Sequence, residues 1–449
     1  MGTVNNYGNV LLAAGSNTID VQGLLNSAIT AAQQPLTLLQ QQQTTVQTQT
    51  AALQSISGDV TALNTAVQAL TTSNGALNAL TATSSNNNVV TASADSTALA
   101  GTHSIVVNSL ATTASYYTDS VASATTTLAN GSFQIAVGSN SPATVTIDSS
   151  DNTLNGLATA INAQNLGVTA SVITDANGAR LALVSSTSGG AGSINLTGNT
   201  TGLTFNQAAT GTNASLTVDG VPVSSTSNTV VGAIPGVTLN LAGAAPGQTV
   251  NLTLTPDTNQ ASSAVSTFVS AWNKVIQDLN SQFDVSSDGT GGGPLETDNN
   301  LRDLQSQLLS AITYSVSGNN GLVNLASIGV NMNTDGTLSL DSGKLANTLS
   351  GNYTALQNLL QGSSGVGAFL SNTLSQITDP TQGTIALDLQ GMSQTNESLT
   401  QQISDMQTLV TAQTQSLTQQ YAQMAVTLQE MPSLQQQTTE QLAALTSNG

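Results

Sequence analysis

Cysteine is absent from this 449-residue chain, which excludes disulfides, thiol catalysis and zinc–thiolate sites. Cations are nearly as scarce: Arg180, Lys274, Arg302 and Lys344 stand against 23 Asp and Glu, leaving a net charge of −19. Nucleic-acid binding needs clustered Lys and Arg to neutralise phosphates, and anionic membrane surfaces select for the same clusters, so neither partner is expected. No run approaches the ~18 apolar residues of a spanning helix, so no membrane insertion is expected. The first basic residue is Arg180, so the amino terminus lacks the cationic start of a secretory signal peptide. The chain is expected to stay in the cytoplasm or to leave by a route that reads no such signal. Only 6% of residues are charged and 3% aromatic, while 39% are hydrophobic. Thr, Ser, Asn, Gln, Ala and Gly have replaced the missing charge, which argues against charge-driven disorder and for polar tracts that pack weakly.

What the chain does have is two apolar stripes, one at each end. Leu39, Val46, Leu53, Ile56, Val60, Leu63, Val67 and Leu70 follow one another after Leu36; Leu399, Ile403, Met406, Val410, Leu417, Tyr421, Met424, Leu428 and Met431 do so near the other end. Alternating steps of three and four make each a coiled-coil seam that must meet a partner, whether the other terminus or a neighbouring subunit. The seams are flanked by Gln and Thr in place of Glu and Lys, so they lack the ion pairs that fix partner and register. Before the first stripe, Ile19 to Gln33 reads as a short amphipathic helix, and Pro35 suits the first turn of the next one. Near the other end, Pro432 is expected to interrupt the helix.

The middle reads as strands and small helices. Asn86, Asn87 and Asn88 mark a polar linker, and Ser104 to Leu110 alternates as a half-buried strand. Phe133, Ile135 and Val137, then Val145 and Ile147, alternate likewise; Thr153 to Gln164 is a helix capped by Asp151 or Ser150, and strands follow at Gly167 to Ile173 and Arg180 to Val184. Asp219-Gly220 between Leu216, Val218, Val221 and Val223 is a strong hairpin signal, and Val237 to Leu241 with Val250 to Leu254 is expected to extend the same sheet. Helical spacing returns at Val265 to Phe283 and Leu301 to Ile312, separated by the loop Asp288 to Pro294. A turn at Asp335-Gly336 leads into Leu338 and Leu340, then helices lie around Leu356 to Leu360 and Phe369 to Ile377. The fold class is α+β and multidomain.

Catalysis finds little support. A serine triad would have to use His103, the lone histidine, at the mouth of a predicted strand, where surface or turn is the ordinary reading. The acid pairs Asp148 with Asp151, Asp284 with Asp288, Glu296 with Asp298 and Asp335 with Asp341 have the composition of a glycosidase or calcium site. They sit among Gly, Ser, Thr and Asn, where turns and caps need them. Trp272 at helical spacing reads as core.

The sequence resembles the flagellar filament cap family, also called flagellar hook-associated protein 2. The residues concerned are Asp219-Gly220 to Val223, Ser227-Asn228-Thr229-Val230, Ile234-Pro235-Gly236-Val237-Thr238-Leu239, Phe268-Val269, Ala271-Trp272-Asn273, Gly293-Pro294-Leu295 with Asp298, Leu325-Ala326-Ser327-Ile328-Gly329-Val330, and Asp335-Gly336-Thr337-Leu338 with Leu340-Asp341. Asn155-Gly156-Leu157-Ala158, Ala160-Ile161-Asn162 and Gly167-Val168-Thr169-Ala170 are similar to the small repeat inserted into flagellar axial proteins, and Ile19-Asp20-Val21 with Pro35-Leu36 to the family's first helix pair. The chain departs from the family in its charge-poor last helix, with only Asp405, Glu430 and Glu440 between Gln401 and Gln441, and in Trp272, where Tyr is more usual.

The resemblance implies a non-enzymatic cap, without cofactor, catalytic residue or metal, at the distal end of the flagellar filament, where exported flagellin is folded and inserted. It implies terminal coiled-coil legs over 1–40 and 400–449, a helical stem domain over 41–85 and 258–399, a β-rich head over 86–130 and 205–257, and a small inserted α+β head over 131–204. The contacts of the helical seams with other subunits or the filament would fall to Leu53, Ile56, Val60, Leu63 and Val67 and to Ile403, Met406, Val410, Leu417, Tyr421, Met424 and Leu428. Implied partners are further copies in a homo-oligomer, flagellin, hook–filament junction proteins and a flagellar export chaperone, with export by the flagellar type III route. The alternatives are a surface adhesin, which has no need of paired end helices, and a flagellin or hook-junction protein, which lacks the motifs near Phe268, Leu325 and Asp335.

Overall fold

The computed structural model describes residues 20–284 and 291–446. Helix α1 (Val21–Thr71) leads into strands β1 (Leu80–Ser84), β2 (Val90–Ala94), β3 (Gly101–Ser109) and β4 (Thr113–Thr118). A mixed stretch follows: β5 (Gly131–Val137), β6 (Ala143–Ile147), α2 (Leu154–Ala163), β7 (Val168–Asp175), β8 (Gly178–Ser188) and β9 (Ile194–Thr197). Next come β10 (Phe205–Ala209), β11 (Ala214–Val218), β12 (Val221–Ser225), β13 (Thr229–Ile234), β14 (Val237–Leu241) and β15 (Val250–Pro256). The chain closes with α3 (Thr258–Phe283), α4 (Asn299–Ile312), the hairpin β16 (Val330–Met332) and β17 (Leu338–Leu340), then α5 (Ser342–Gly351), α6 (Tyr353–Gln361), α7 (Val366–Ile377) and α8 (Thr384–Thr446). Two compact units result: one holds the described residues through Val67, Ser266–Leu345 and those from Asn358, and the other holds Gln68–Val265 with Ala346–Gln357.

The first unit is helical because its apolar residues recur at helical spacing and are buried accordingly. Phe268, Trp272, Val275, Ile276 and Leu279 of α3, Leu301, Leu304 and Leu308 of α4, and Leu370, Leu374 and Ile377 of α7 are all buried. Each such side chain is worth ~1.5–3 kcal/mol when removed from water, so this face decides the packing. Helix α4 starts where Asp298 Oδ1 accepts from the backbone N–H of Asn300 and Leu301, at 2.9 and 3.2 Å, and it packs on α7 and α8. Trp272 Nε1 donates to the carbonyl of Gly336 at 2.9 Å, tying α3 to the turn of the β16–β17 hairpin. Asn273 brackets Leu338, donating to its carbonyl at 2.8 Å and accepting from its N–H at 2.6 Å. Gly336 takes a φ of +82°, and a Cβ there would lie 3.0 Å from Leu309 Cδ2, so glycine is required.

Pro35, expected in the first turn of a new helix, and Pro432, expected to interrupt one, both lie inside continuous helices. Pro35 belongs to α1, so the expected short helix and the long one after it are one continuous helix; Ile19, the expected start, lies outside the described residues. An internal proline costs ~3 kcal/mol, yet Val21 and Leu25 upstream are buried and repay a similar amount, while Pro35 and Ala31, whose carbonyl loses its donor, are both exposed. At Pro432 no such burial offsets the cost: from Val426 every described side chain is exposed except the half-buried Leu428.

The second unit is β-rich and contains two apolar cores. One lies between the sheet β1-β15-β3-β11-β12 and the sheet β13-β14-β2, centred on Val90, Ile105, Val107, Leu216, Leu239 and Leu252. The other joins the sheets β10-β4-β8-β7 and β6-β5-β9 to α2 through Phe133, Ile135, Leu157, Ile161, Leu181 and Leu183. Asp219 (φ 52°) and Gly220 (φ 82°) form the β11–β12 turn as expected, since both central residues of such a turn need positive φ.

Four expectations in this unit are corrected. Asn86–Asn88 is no linker but the turn between β1 and β2, with Asn86 Oδ1 accepting from Asn88 N at 3.1 Å. Strand β14 does not extend the sheet of β15: it pairs with β2 and β13, while β15 pairs with β1 and β3. The α2 cap is neither Asp151 nor Ser150 but Thr153, whose Oγ1 accepts from Gly156 N at 3.1 Å. Asp151 instead accepts from Asp148 N at 2.8 Å in the preceding turn. His103 is not at the mouth of its strand but within β3.

Candidate assembly interface

In the helical unit the two end helices meet each other. Gln43 Nε2 on α1 donates to Thr400 Oγ1 on α8 at 2.9 Å, and a shallow cleft is lined by Val46 and Gln49 together with Leu387, Asp388, Gly391, Met392 and Thr395. Ascending one helix descends the other, so the pair is antiparallel. Its contact stripe carries polar residues, Gln43 and Thr400 among them, where a strong seam has Leu or Ile.

The expected seam residues divide by environment. Leu53, Ile56, Val60, Leu63 and Val67 are at most 1% exposed, closed inside this chain's own fold, which leaves their apolar face no room for another copy. Ile403 and Val410 are also buried. Met406, Leu417, Tyr421 and Leu428 are half-buried, and Met424 is exposed. Beyond Ala425 the helix carries the exposed side chains Val426, Met431, Leu434 and Leu442, which lie outside most of the expected set. Met431 closes the stripe read from the sequence, whereas Val426, Leu434 and Leu442 were not part of it; for those three composition alone, apolar residues in a Gln-rich helix, was the available signal.

The charged groups are tied up structurally. Asp148 Oδ1 accepts from Ser150 N and Oγ, Glu296 Oε2 from Gly292 N, Asp335 Oδ1 from Thr337 N and Oγ1, and Asp341 Oδ1 from Lys344 N. Asp288, with the start of its expected loop, lies outside the described residues. The Thr337 hydroxyl, with its N–H, holds the Asp335 carboxyl below the usual carboxylate value. Lys274 joins α3 to α1, its Nζ reaching Asp59 Oδ2 at 3.4 Å and also Asp278. Burial, with the neighbouring Asp278, lifts the Asp59 carboxyl against the pull of Lys274. His103 Nδ1 lies 2.7 Å from Asp219 Oδ2, and Asp219 Oδ1 accepts from Ser104 N at 2.8 Å. No group of three His, Asp or Glu arranged for a metal occurs among the described residues. These are turn, cap and strand-docking contacts.

Family models match in the expected order: flagellar hook-associated protein 2 N-terminus over 17–114, flagellin hook IN motif over 132–187, and flagellar hook-associated protein 2 C-terminus over 211–433. The chain is 31% identical over 432 residues to the B-type flagellar hook-associated protein 2 of Pseudomonas aeruginosa, covering 89% of this chain and 90% of the relative. The chain belongs to the flagellar hook-associated protein 2 family. It is also 28% identical to that protein of Escherichia coli, over 96% of this chain and 97% of the relative. Among solved structures, the D1-D2-D3 domains of the flagellar cap protein FliD from Escherichia coli share 27% identity and a TM-score of 0.60, covering 76% of this chain and 99% of that one.

Membership in the hook-associated protein 2 family fixes the role as filament capping and the location as the flagellum, outside the cell. It is a structural family. The long first and last helices around β-rich sheets are the α+β arrangement expected from periodicity. The inserted hook motif coincides with β5 to β8, including α2, the most regular alternation in the middle of the chain.

Proposed function

We propose that the chain caps the growing filament as a homo-oligomer, its β-rich regions forming a plate and its helical ends acting as legs that hold the filament while exported flagellin folds and inserts beneath. The observation that carries this reading is the last stretch of α8, where Val426, Met431, Leu434 and Leu442 stay exposed on a helix that has no reason to present them to water. A soluble monomer gains nothing from them; a filament end supplies their partner. On this reading the legs are 1–40 and 400–449, the stem 41–85 and 258–399, the head 86–130 and 205–257, and the inserted head 131–204. Of the seam, Met406, Leu417, Tyr421, Met424 and Leu428 are assigned to filament contact, whereas the buried Leu53, Ile56, Val60, Leu63, Val67, Ile403 and Val410 hold the chain's own helices. Hook–filament junction proteins and an export chaperone complete the partners, and the reaction performed is assembly, without catalysis.

The test is complementation of a bacterium deleted for its own cap. The full chain should restore filaments and stop loss of flagellin monomers to the medium. A chain ending at Ala425 should keep its folded units and fail to restore growth. Restoration by the shortened chain would remove the leg assignment.

A further inference from the structure

Two carboxylates meet where α8 begins. Asp298, the cap of α4, and Asp388, on the second turn of α8, line one cleft of about 350 Å3 together with Val46 and Gln49 of α1. Asn300 joins them: its backbone N–H donates to Asp298 Oδ1 at 2.9 Å and its side-chain Nδ2 to Asp388 Oδ1 at 2.8 Å. Both acids are half-buried. Like charges held by one asparagine and partly withdrawn from water repel each other.

No cation offsets them among the described residues. Arg302 of α4 turns its guanidinium to the Glu296 carbonyl, at 2.8 Å, and to the ring of Phe283. Helix α1 has one titratable side chain, Asp59, which pairs with Lys274, and α7 has none. Glu296 accepts from Gly292 N, and Asp379, ahead of α8, accepts from the N–H groups of Thr381 and Gln382. Asp303 of α4 and Glu397, the next acid along α8, are exposed. The packing leaves room for movement: Gly391 borders the cleft, a Cβ there would meet nothing within 4 Å, and glycine inside a helix weakens it.

We propose that this pair is a proton-operated latch at the root of α8. Ionised, the two carboxylates hold the root off α4 and α1 and keep the cleft open. When Asp388 takes a proton from solvent the repulsion ends, its second oxygen becomes a donor, and the root closes on its neighbours. Burial raises the Asp388 carboxyl above its ordinary 3.8, and the charge of Asp298 adds to this against the pull of the Asn300 hydrogen bond. A folded value above the unfolded one means that the root is weakened above the folded value and regains that stability as pH falls toward 3.8. The carboxyls of Asp95, Asp148, Asp219, Asp335 and Asp379 are held below 3.8, so their contributions are lost only further down. The latch therefore closes before these contacts fail. This device goes beyond the capping role and does not depend on it, since the pair lies outside the seam assigned to filament contact and no filament is needed to observe it.

Hydrogen exchange of the full chain tests it, followed in peptides from 384–400 in steps from about pH 7 to about pH 4.5 and corrected for the intrinsic pH dependence of exchange. The series stays above the isoelectric point of 4.1. Exchange at the root should slow roughly threefold or more toward the acid end, one unit of pKa shift being tenfold in the underlying equilibrium. Asp388→Asn, which removes the charge and still accepts from Asn300, should give slow exchange already at neutral pH and flatten the profile. Asp298→Asn keeps a capping side chain and should do the same, so a folding defect in one variant leaves the other to decide. The proposal is overturned if the parent exchanges equally at both ends of the series, or if the folded variants exchange as fast as the parent at neutral pH. Slowing of the parent by calcium chloride at neutral pH would also overturn it, making the pair a cation site in place of a proton latch.

Discussion

Trp272 is completely buried, and its one polar atom is satisfied by the Gly336 carbonyl. Trp272→Phe keeps most of the apolar volume but leaves that carbonyl without its donor, so we expect ~1–3 kcal/mol of destabilisation in denaturant unfolding of the helical unit. Trp272→Ala should cost more, ~3–5 kcal/mol, because a cavity adds to the lost burial. Asp219 offers a test by pH. Its carboxyl is held below the ordinary value of 3.8, first by the hydrogen bond with His103 and then by Ser104 N. A folded value below the unfolded one means stability that is fully present above the ordinary value and is lost as pH falls through the depressed one. Asp219→Asn preserves the turn, since Asn tolerates positive φ, and removes the titrating group. Acid unfolding followed by fluorescence should therefore show a shallower loss of stability in the variant, and identical acid limbs would refute the assignment.

Helices and strands carry a second kind of expectation. Gln43 and Thr400 put a hydrogen bond where the α1–α8 contact would be tighter with aliphatic residues. Gln43→Leu with Thr400→Leu should raise the melting temperature of the helical unit, because apolar contact of similar volume outweighs a partly exposed polar one. Unchanged or lower melting would show the polar pair to be needed for packing. Pro432 sits in a helix stretch with no buried side chain to offset it, so Pro432→Ala should increase helicity by circular dichroism. Pro35→Ala should gain stability too, since the same lost hydrogen bond is restored in a helix already held by Leu25 and Leu36. For the paired α1, such a substitution would be read in melting temperature; for the end of α8, in helix content.

Taken together, the chain has several separate cores and a helical end without one. Hydrogen exchange on the isolated protein should find the slowest amides in strands around Ile105, Leu239, Phe133 and Leu183 and the fastest among the described helices after Ala425. Slow exchange there in the absence of filament would mean that the end of α8 is stabilised without a partner, against its assignment as a leg. With the net charge at −19, copies repel at long range, so oligomer formation should strengthen as salt is added up to ~0.15 M, where charges beyond about 8 Å are screened.

Much of this architecture was written in local patterns. Alternation marked β3, β5, β6, β7 and β8, helical spacing marked α2, α3, α4 and the two end helices, and Asp219-Gly220 marked its own turn, because each depends on residues a few positions apart. The same holds for what is excluded: without cysteine, clustered cations or more than one histidine, whole classes of chemistry were closed before folding was considered. Strands β1 and β2 were not legible, since Leu80–Ser84 and Val90–Ala94 are short and rich in Thr, Ser and Ala, and their identity comes from partners far along the chain, β15 and β14. Nor was the sheet to which β14 belongs, as a pattern of side chains says which face is buried but not which strand lies alongside. The seam shows the limit most plainly: its period announced a partner, and folding assigned Leu53 to Val67 a partner within the chain while leaving Val426 to Leu442 exposed. Periodicity is a property of one helix; which surface covers it depends on everything else the chain brings there.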